Sequence, residues 1–180
     1  MTTIRPGAAE DAHALAEFGA RTFRETFGAQ NTPENMALYL ASTYGPRLQA
    51  AELTDARVAT LIAEGEGGLA GYAQLREGPA PGCVEGSRPI EIWRFYVDRV
   101  WQGRGIAQAL MDSVVQAALT RGAGTLWLCV WERNDRAQAF YRKCGFVDRG
   151  AKQFRLGNDR QMDRVMVRPL GGGIPSRGVD

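Results

Sequence analysis

Gln102, Gly103, Arg104, Gly105, Ile106 and Ala107 stand between an apolar run that begins at Glu91 and a helical pattern through Ile106, Leu110, Val114 and Ala118. A strand that enters a helix through a short glycine turn makes an anion site. The N–H groups of the first helical turn have no intrahelical partner, and glycine lets a diphosphate approach them with no Cβ in the way. The segment therefore points to a phosphorylated cofactor. Two glycines alone could equally serve close packing of a helix start, so a second chemical segment carries weight. Thr125 to Phe146 supplies it, reading as a strand, a polar turn, a short helix and a glycine stop, with Asn134 in the N-cap place before Asp135. Neither G-x-x-x-x-G-K-S/T nor G-x-G-x-x-G occurs around Gly103, which argues against the common nucleotide-binding loops.

Gln102, Gly105 and Ala107 match the Q/R-x-x-G-x-G/A signature of the GNAT N-acyltransferases, and Asn134, Ala137, Tyr141, Gly145 and Phe146 resemble the second segment of that family. The resemblance implies a GNAT fold, an α/β domain whose mixed, mostly antiparallel sheet is flanked by helices and whose central strand pair splays apart. It implies acetyl-CoA as co-substrate, with Phe95, Val97, Gln102, Gly103, Arg104, Gly105, Ile106, Ala107, Asn134, Ala137, Phe140 and Tyr141 around it. A backbone N–H at Val97 or its neighbour would face the carbonyl oxygen. Tyr141 would lie near the sulfur; with an ordinary pKa of about 10 it stays protonated and can donate to a departing thiolate of pKa about 8.5. An acceptor ammonium of pKa about 10 must first lose a proton, a deficit of about 4 to 5 kcal/mol at neutral pH. Glu91 occupies the place of the family's glutamate base, and Glu132 is the alternative carboxylate. Either could instead be an ordinary solvated charge.

Three further segments, Asn31 to Leu40, Trp127 to Asn134 and Phe154 to Asp163, are similar to bacterial spermidine/spermine N-acetyltransferases of the Pai type. That resemblance implies a polyamine acceptor, with Glu25, Glu34, Glu91 and Glu132 as groove carboxylates and Trp93 and Trp131 beside the substrate. A peptide or protein N-terminus, or another small amine, is the alternative acceptor. An acyl-CoA-binding sensor without activity is the non-enzyme alternative, which the presence of Tyr141 and two candidate bases disfavours.

Composition bounds the rest. The net charge of +2 and the scatter of the basic residues, all arginine except Lys143 and Lys152, leave no nucleic-acid footprint. Three cysteines without C-x-x-C spacing and a single histidine offer no metal cluster, so no metal and free thiols are expected. No signal-like or membrane-length apolar run is present, which predicts a cytoplasmic protein with no membrane partner. The resemblance implies a small-molecule amine as acceptor, and a homodimer is compatible with the sequence.

The elements that must position these residues read in order as a strand at Thr3 to Arg5, a helix with Leu15, Phe18, Thr22 and Phe23 on one stripe, and a second helix capped by Thr32-Pro33-Glu34. A hairpin follows at Arg57 to Ala63 and Leu69 to Leu75, then the fourth strand, on which Glu91, Trp93 and Phe95 alternate onto one face. The loop from Arg76 to Pro89 is expected to wall the acceptor site or to be mobile. Two last strands at Ala151 to Leu156 and Gln161 to Arg168 complete residues 1–170 as one acetyltransferase domain, with 171–180 as a disordered tail.

Overall fold

The computed structural model describes residues 2–171, so the expected tail beyond them lies outside the described residues. Seven strands form one sheet in the order β1-β2-β3-β4-β5-β7-β6. They are β1 (Thr3–Pro6), β2 (Val58–Gly65), β3 (Gly68–Glu77), β4 (Pro89–Val97), β5 (Thr125–Trp131), β6 (Val147–Leu156) and β7 (Asp159–Pro169). All neighbours are antiparallel except β4 and β5, whose parallel pairing ends at Ile92 opposite Leu128. Beyond that point the two strands separate, which is the expected splay.

Five α-helices cover the two faces: α1 (Ala12–Phe27), α2 (Pro33–Thr43), α3 (Pro46–Thr54), α4 (Ile106–Thr120) and α5 (Asp135–Lys143). On one face Ile106, Leu110, Met111 and Val114 of α4 and Tyr141 of α5 join Leu75, Ile90, Ile92, Leu126 and Leu128 in the largest buried cluster. On the other, Leu15, Phe18 and Phe23 of α1 and Met36 and Leu40 of α2 pack with Ile62, Tyr72 and Leu156. The central strands β3 and β5 therefore bury both of their faces, which is why their apolar runs show little alternation.

Three helices precede the first hairpin, not the two expected. Helix α3 escaped because its single buried residue is polar: Gln49 accepts from the Gly45 N–H (2.7 Å) and donates to the Thr43 carbonyl (3.1 Å), tying α3 to the end of α2. Such a helix shows no apolar stripe. The long loop is also unlike the expectation, since Arg76 and Glu77 belong to β3, Ala80, Cys83 and Val84 pack on Trp127, Val165 and Val167, and no residue of 78–88 lines the main cleft. No helix among the described residues is long and apolar enough to cross a membrane.

Candidate active site

Where β4 leaves β5, a cleft of about 1200 Å³ passes between them and reaches both faces of the sheet. A β-bulge shapes its wall. Gln74 pairs with Arg94 and the next residue, Leu75, with Ile92, so Trp93 is the extra residue of β4. The bulge shifts side-chain parity by one. Ile90 and Ile92 before it and Phe95 after it face α4, whereas Glu91 lies on the opposite face with Arg76. The simple alternation of Glu91, Trp93 and Phe95 is thereby corrected: Glu91 and Phe95 stand on opposite sides of the sheet.

The α4 side of the cleft is made of backbone and small residues. Gly103 and Gly105 have φ of 77° and 81°, a left-handed conformation that favours glycine, and a Cβ built at either would point into open space. The first backbone bond of α4 runs from the Ala109 N–H to the Gly105 carbonyl (3.0 Å), so the amides before it have no intrahelical partner. This cradle fits a diphosphate, and Arg99, Arg136 and Lys143 also line the cleft and supply positive charge. The Asp98 N–H is bonded to the Ala70 carbonyl across β3 (2.9 Å). Because amides alternate along a strand, those of Phe95 and Val97 face the open edge of β4.

Asn134 caps α5 with its Oδ1, which accepts from the Ala137 N–H at 3.2 Å, and its amide nitrogen is left for the cleft. Tyr141 is buried, with its ring against Phe95, Phe140 and Phe146, and burial pushes its hydroxyl pKa well above the ordinary value. It stays protonated and is a hydrogen-bond donor before it is a proton donor.

The other side of the cleft is made of side chains from many elements. Phe23 stacks on Tyr39 with ring centroids 4.5 Å apart, Phe27 meets Trp131 edge-on at 6.0 Å, and Tyr39 meets Phe154 at 5.4 Å. Glu91 Oε2 accepts two hydrogen bonds from Arg76, at 3.0 and 2.7 Å, so that oxygen is already engaged in an ion pair. The guanidinium of Arg76 also lies 3.9 Å from the Trp93 ring, whose other partner is Arg94 at 4.0 Å. Arg94 is itself buried, which lowers its pKa, but it is held by Glu52 of α3, and those hydrogen bonds together with the nearby charge of Glu52 and the hydroxyls of Tyr72 and Tyr44 leave it above its ordinary value.

Of the residues expected from sequence, Glu25, Glu91, Trp93, Phe95, Val97, Gln102, Gly103, Gly105, Ala107, Trp131, Asn134, Ala137, Phe140 and Tyr141 line this one cleft. Glu34, Arg104, Ile106 and Glu132 do not. Glu34 and Glu132 are exposed, Arg104 lies over the Trp101 ring, and the Ile106 side chain is buried in the core, leaving only its amide for the anion site. Sequence reasoning missed Phe23, Phe27, Tyr39, Phe154 and Asp163 as cleft residues. For Phe23 and Phe27 a signal existed in their helical spacing toward the end of α1; for Asp163 nothing local distinguished it from any strand carboxylate.

Comparison with known proteins agrees with this fold. The acetyltransferase (GNAT) family matches residues 20–146. The chain is 38% identical over 160 residues to an uncharacterized N-acetyltransferase of Mycobacterium tuberculosis, covering 89% of this chain and 98% of that one. It is 31% identical over 159 residues to an uncharacterized N-acetyltransferase of Lactobacillus delbrueckii subsp. lactis, covering 87% and 92%. Among solved structures, a PaiA N-acetyltransferase from Thermoplasma acidophilum in complex with coenzyme A shares the fold, with a TM-score of 0.75 at 18% identity over 94% of this chain and 99% of that one.

Proposed function

The chain belongs to the acetyltransferase (GNAT) family and is an acetyl-CoA-dependent N-acetyltransferase; from that premise we propose that it acetylates a primary amine of a polyamine, such as spermidine or spermine, by direct attack in a ternary complex. The observation that carries the reading is the single cleft through the β4–β5 splay, with an anion cradle on one face and an aromatic, carboxylate-bearing chamber on the other. A thioester held in the gap is open to an amine arriving from the α1–α2 side, so no covalent relay through the protein is required.

In this reading the amides at the start of α4 hold the diphosphate, the Val97 N–H faces the carbonyl oxygen as charge gathers there, and the Tyr141 hydroxyl donates to the departing sulfur. Asn134 adds its free amide nitrogen beside the pantetheine. A cationic acceptor is supported by the faces of Phe27, Tyr39 and Trp131, which attract ammonium groups, and by Glu25 and Asp163 within the same chamber. The polyamine class is supported by the three segments similar to the Pai-type enzymes.

The test is thiol release from acetyl-CoA with spermine, spermidine, putrescine, monoamines, aminoglycosides and short peptides. Each added ammonium that meets an exposed carboxylate contributes roughly 0.2 to 1 kcal/mol. Spermine and spermidine should therefore show several-fold higher kcat/KM than a monoamine, with the gap narrowing as salt rises. Efficient transfer to a peptide N-terminus without polyamine turnover would retire the polyamine assignment.

A further inference from the structure

Arginine side chains pair most of the carboxylates that are buried or half-buried among the described residues. Asp11 is held by Arg5, Glu52 by Arg94, Glu91 by Arg76, Asp98 by Arg21 and Asp148 by Arg164. Asp163 is different. It is half-buried on β7, directly between Trp131 of β5 and Lys152 of β6, and lines the cleft on the face opposite α4. Among the described residues no hydrogen bond or ion pair reaches its oxygens, Lys152 included. A carboxylate desolvated against aromatic rings with no partner of its own is a group kept available for a ligand.

We propose that Asp163 is the proton acceptor of the transfer, receiving the ammonium of the amine substrate within the aromatic chamber and taking its proton as the nitrogen turns toward the β4–β5 gap. The proposal rests on the acetyl-transfer reading above and assigns the base that Glu91, bound to Arg76, and Glu132, outside the cleft, leave open. The carboxylate takes one proton from the ammonium, and the freed nitrogen lone pair forms the new C–N bond. The C–S bond breaks as the carbonyl is restored. The second N–H proton leaves with the sulfur, and the proton on Asp163 passes to solvent, so that amide, free thiol and one proton are the products.

Loss of hydration pushes the Asp163 pKa up to about 6. Lys152 from β6 opposes that rise and Glu132, just past β5, adds to it. Cys129 of β5 and Tyr39 of α2 also feel the Asp163 charge, and burial keeps both protonated. Of the side chains that α1 sends toward this chamber, Phe23 and Phe27 do not titrate, and the Glu25 carboxylate is paired with Arg21 at 3.3 Å. A base of this strength is ionised at neutral pH and binds a proton roughly a hundredfold more tightly than an ordinary aspartate.

The experiment compares wild-type protein with Asp163→Asn and Asp163→Glu, using the most active amine of the panel between pH 5 and 9. The Asn variant should lose about 100-fold or more in kcat at pH 7, keep its acetyl-CoA affinity by calorimetry, and lack the wild-type rise in kcat with a midpoint near 6. Its deficit should shrink as pH approaches the pKa of the amine, and the Glu variant should recover part of the rate. An unchanged melting temperature or a higher one shows that the Asn variant is folded. Wild-type kcat and pH profile in that variant would overturn the proposal alone, as would a raised KM for amine at intact kcat. Wild-type protein that releases no thiol with any amine would overturn the acetyl-transfer reading as well.

Discussion

The two ends of the cleft are built by opposite means. The α4 end is one contiguous segment whose working groups are main-chain amides, positioned by two glycines with φ of 77° and 81° and by the start of a helix. The chamber end takes side chains from α1, α2, β4, β5, β6 and β7, and its charges depend on which carboxylate meets which arginine. A ligand common to many enzymes can be held by groups every residue possesses, whereas the acceptor must be distinguished by groups that only some residues carry. Within the chamber, Glu91 and Asp163 repeat the contrast: one is locked by Arg76, the other has no partner among the described residues.

The cradle should be the more sensitive of the two ends. Gly105→Val forces a β-branched residue into a left-handed conformation and fills the space before the free amides. Acetyl-CoA binding should weaken by about 100-fold or more, the loss of about two good charge-assisted hydrogen bonds, as read by calorimetry. Unchanged affinity would mean that the anion is held elsewhere.

A smaller effect is expected where the two ends meet. Tyr141→Phe should lower kcat by roughly 10- to 100-fold while acetyl-CoA affinity stays within about twofold, because the hydroxyl is assigned to the departing sulfur and not to ground-state binding. Single-turnover kinetics with calorimetry separates the two quantities. Wild-type kcat would make Tyr141 a packing residue between Phe95 and Phe146.

The smallest effect concerns stability and has the opposite sign. The folded-state pKa of Asp163 is raised from 3.8 to about 6, so the folded protein binds the proton more tightly than the unfolded chain. Stability at this site therefore falls as pH rises from about 3.8 to about 6, and the penalty persists at neutral pH. After allowance for the half-exposed position it is about 1 to 2 kcal/mol. Asp163→Asn should raise the melting temperature by roughly 2 to 6 °C at pH 7 and by little at pH 4 or below, where the aspartate is also neutral. A lower melting temperature at pH 7 would show that Asp163 has a stabilising partner.

The sequence by itself determined the α4 end. Gln102, Gly103, Gly105 and Ala107 lie within one turn, Asn134 caps the helix that carries Tyr141, and each of these relations is local, so residue type and spacing suffice to state it. The succession of strands and helices along the chain followed from apolar runs in the same way and the flanked mixed sheet from the GNAT resemblance, while α3 stayed hidden because Gln49, a polar side chain, fills its buried face. Only the tertiary structure decided the chamber. A one-residue bulge at Trp93 places Glu91 and Phe95 on opposite faces, which no reading of alternating residues anticipates, because side-chain parity depends on pairing with another strand. Arg76 and Glu91, and Trp131, Lys152 and Asp163, are distant in the chain and meet only through strand register. Whether a carboxylate is neutralised or left to act depends on the charges and the water that folding brings to it or takes away.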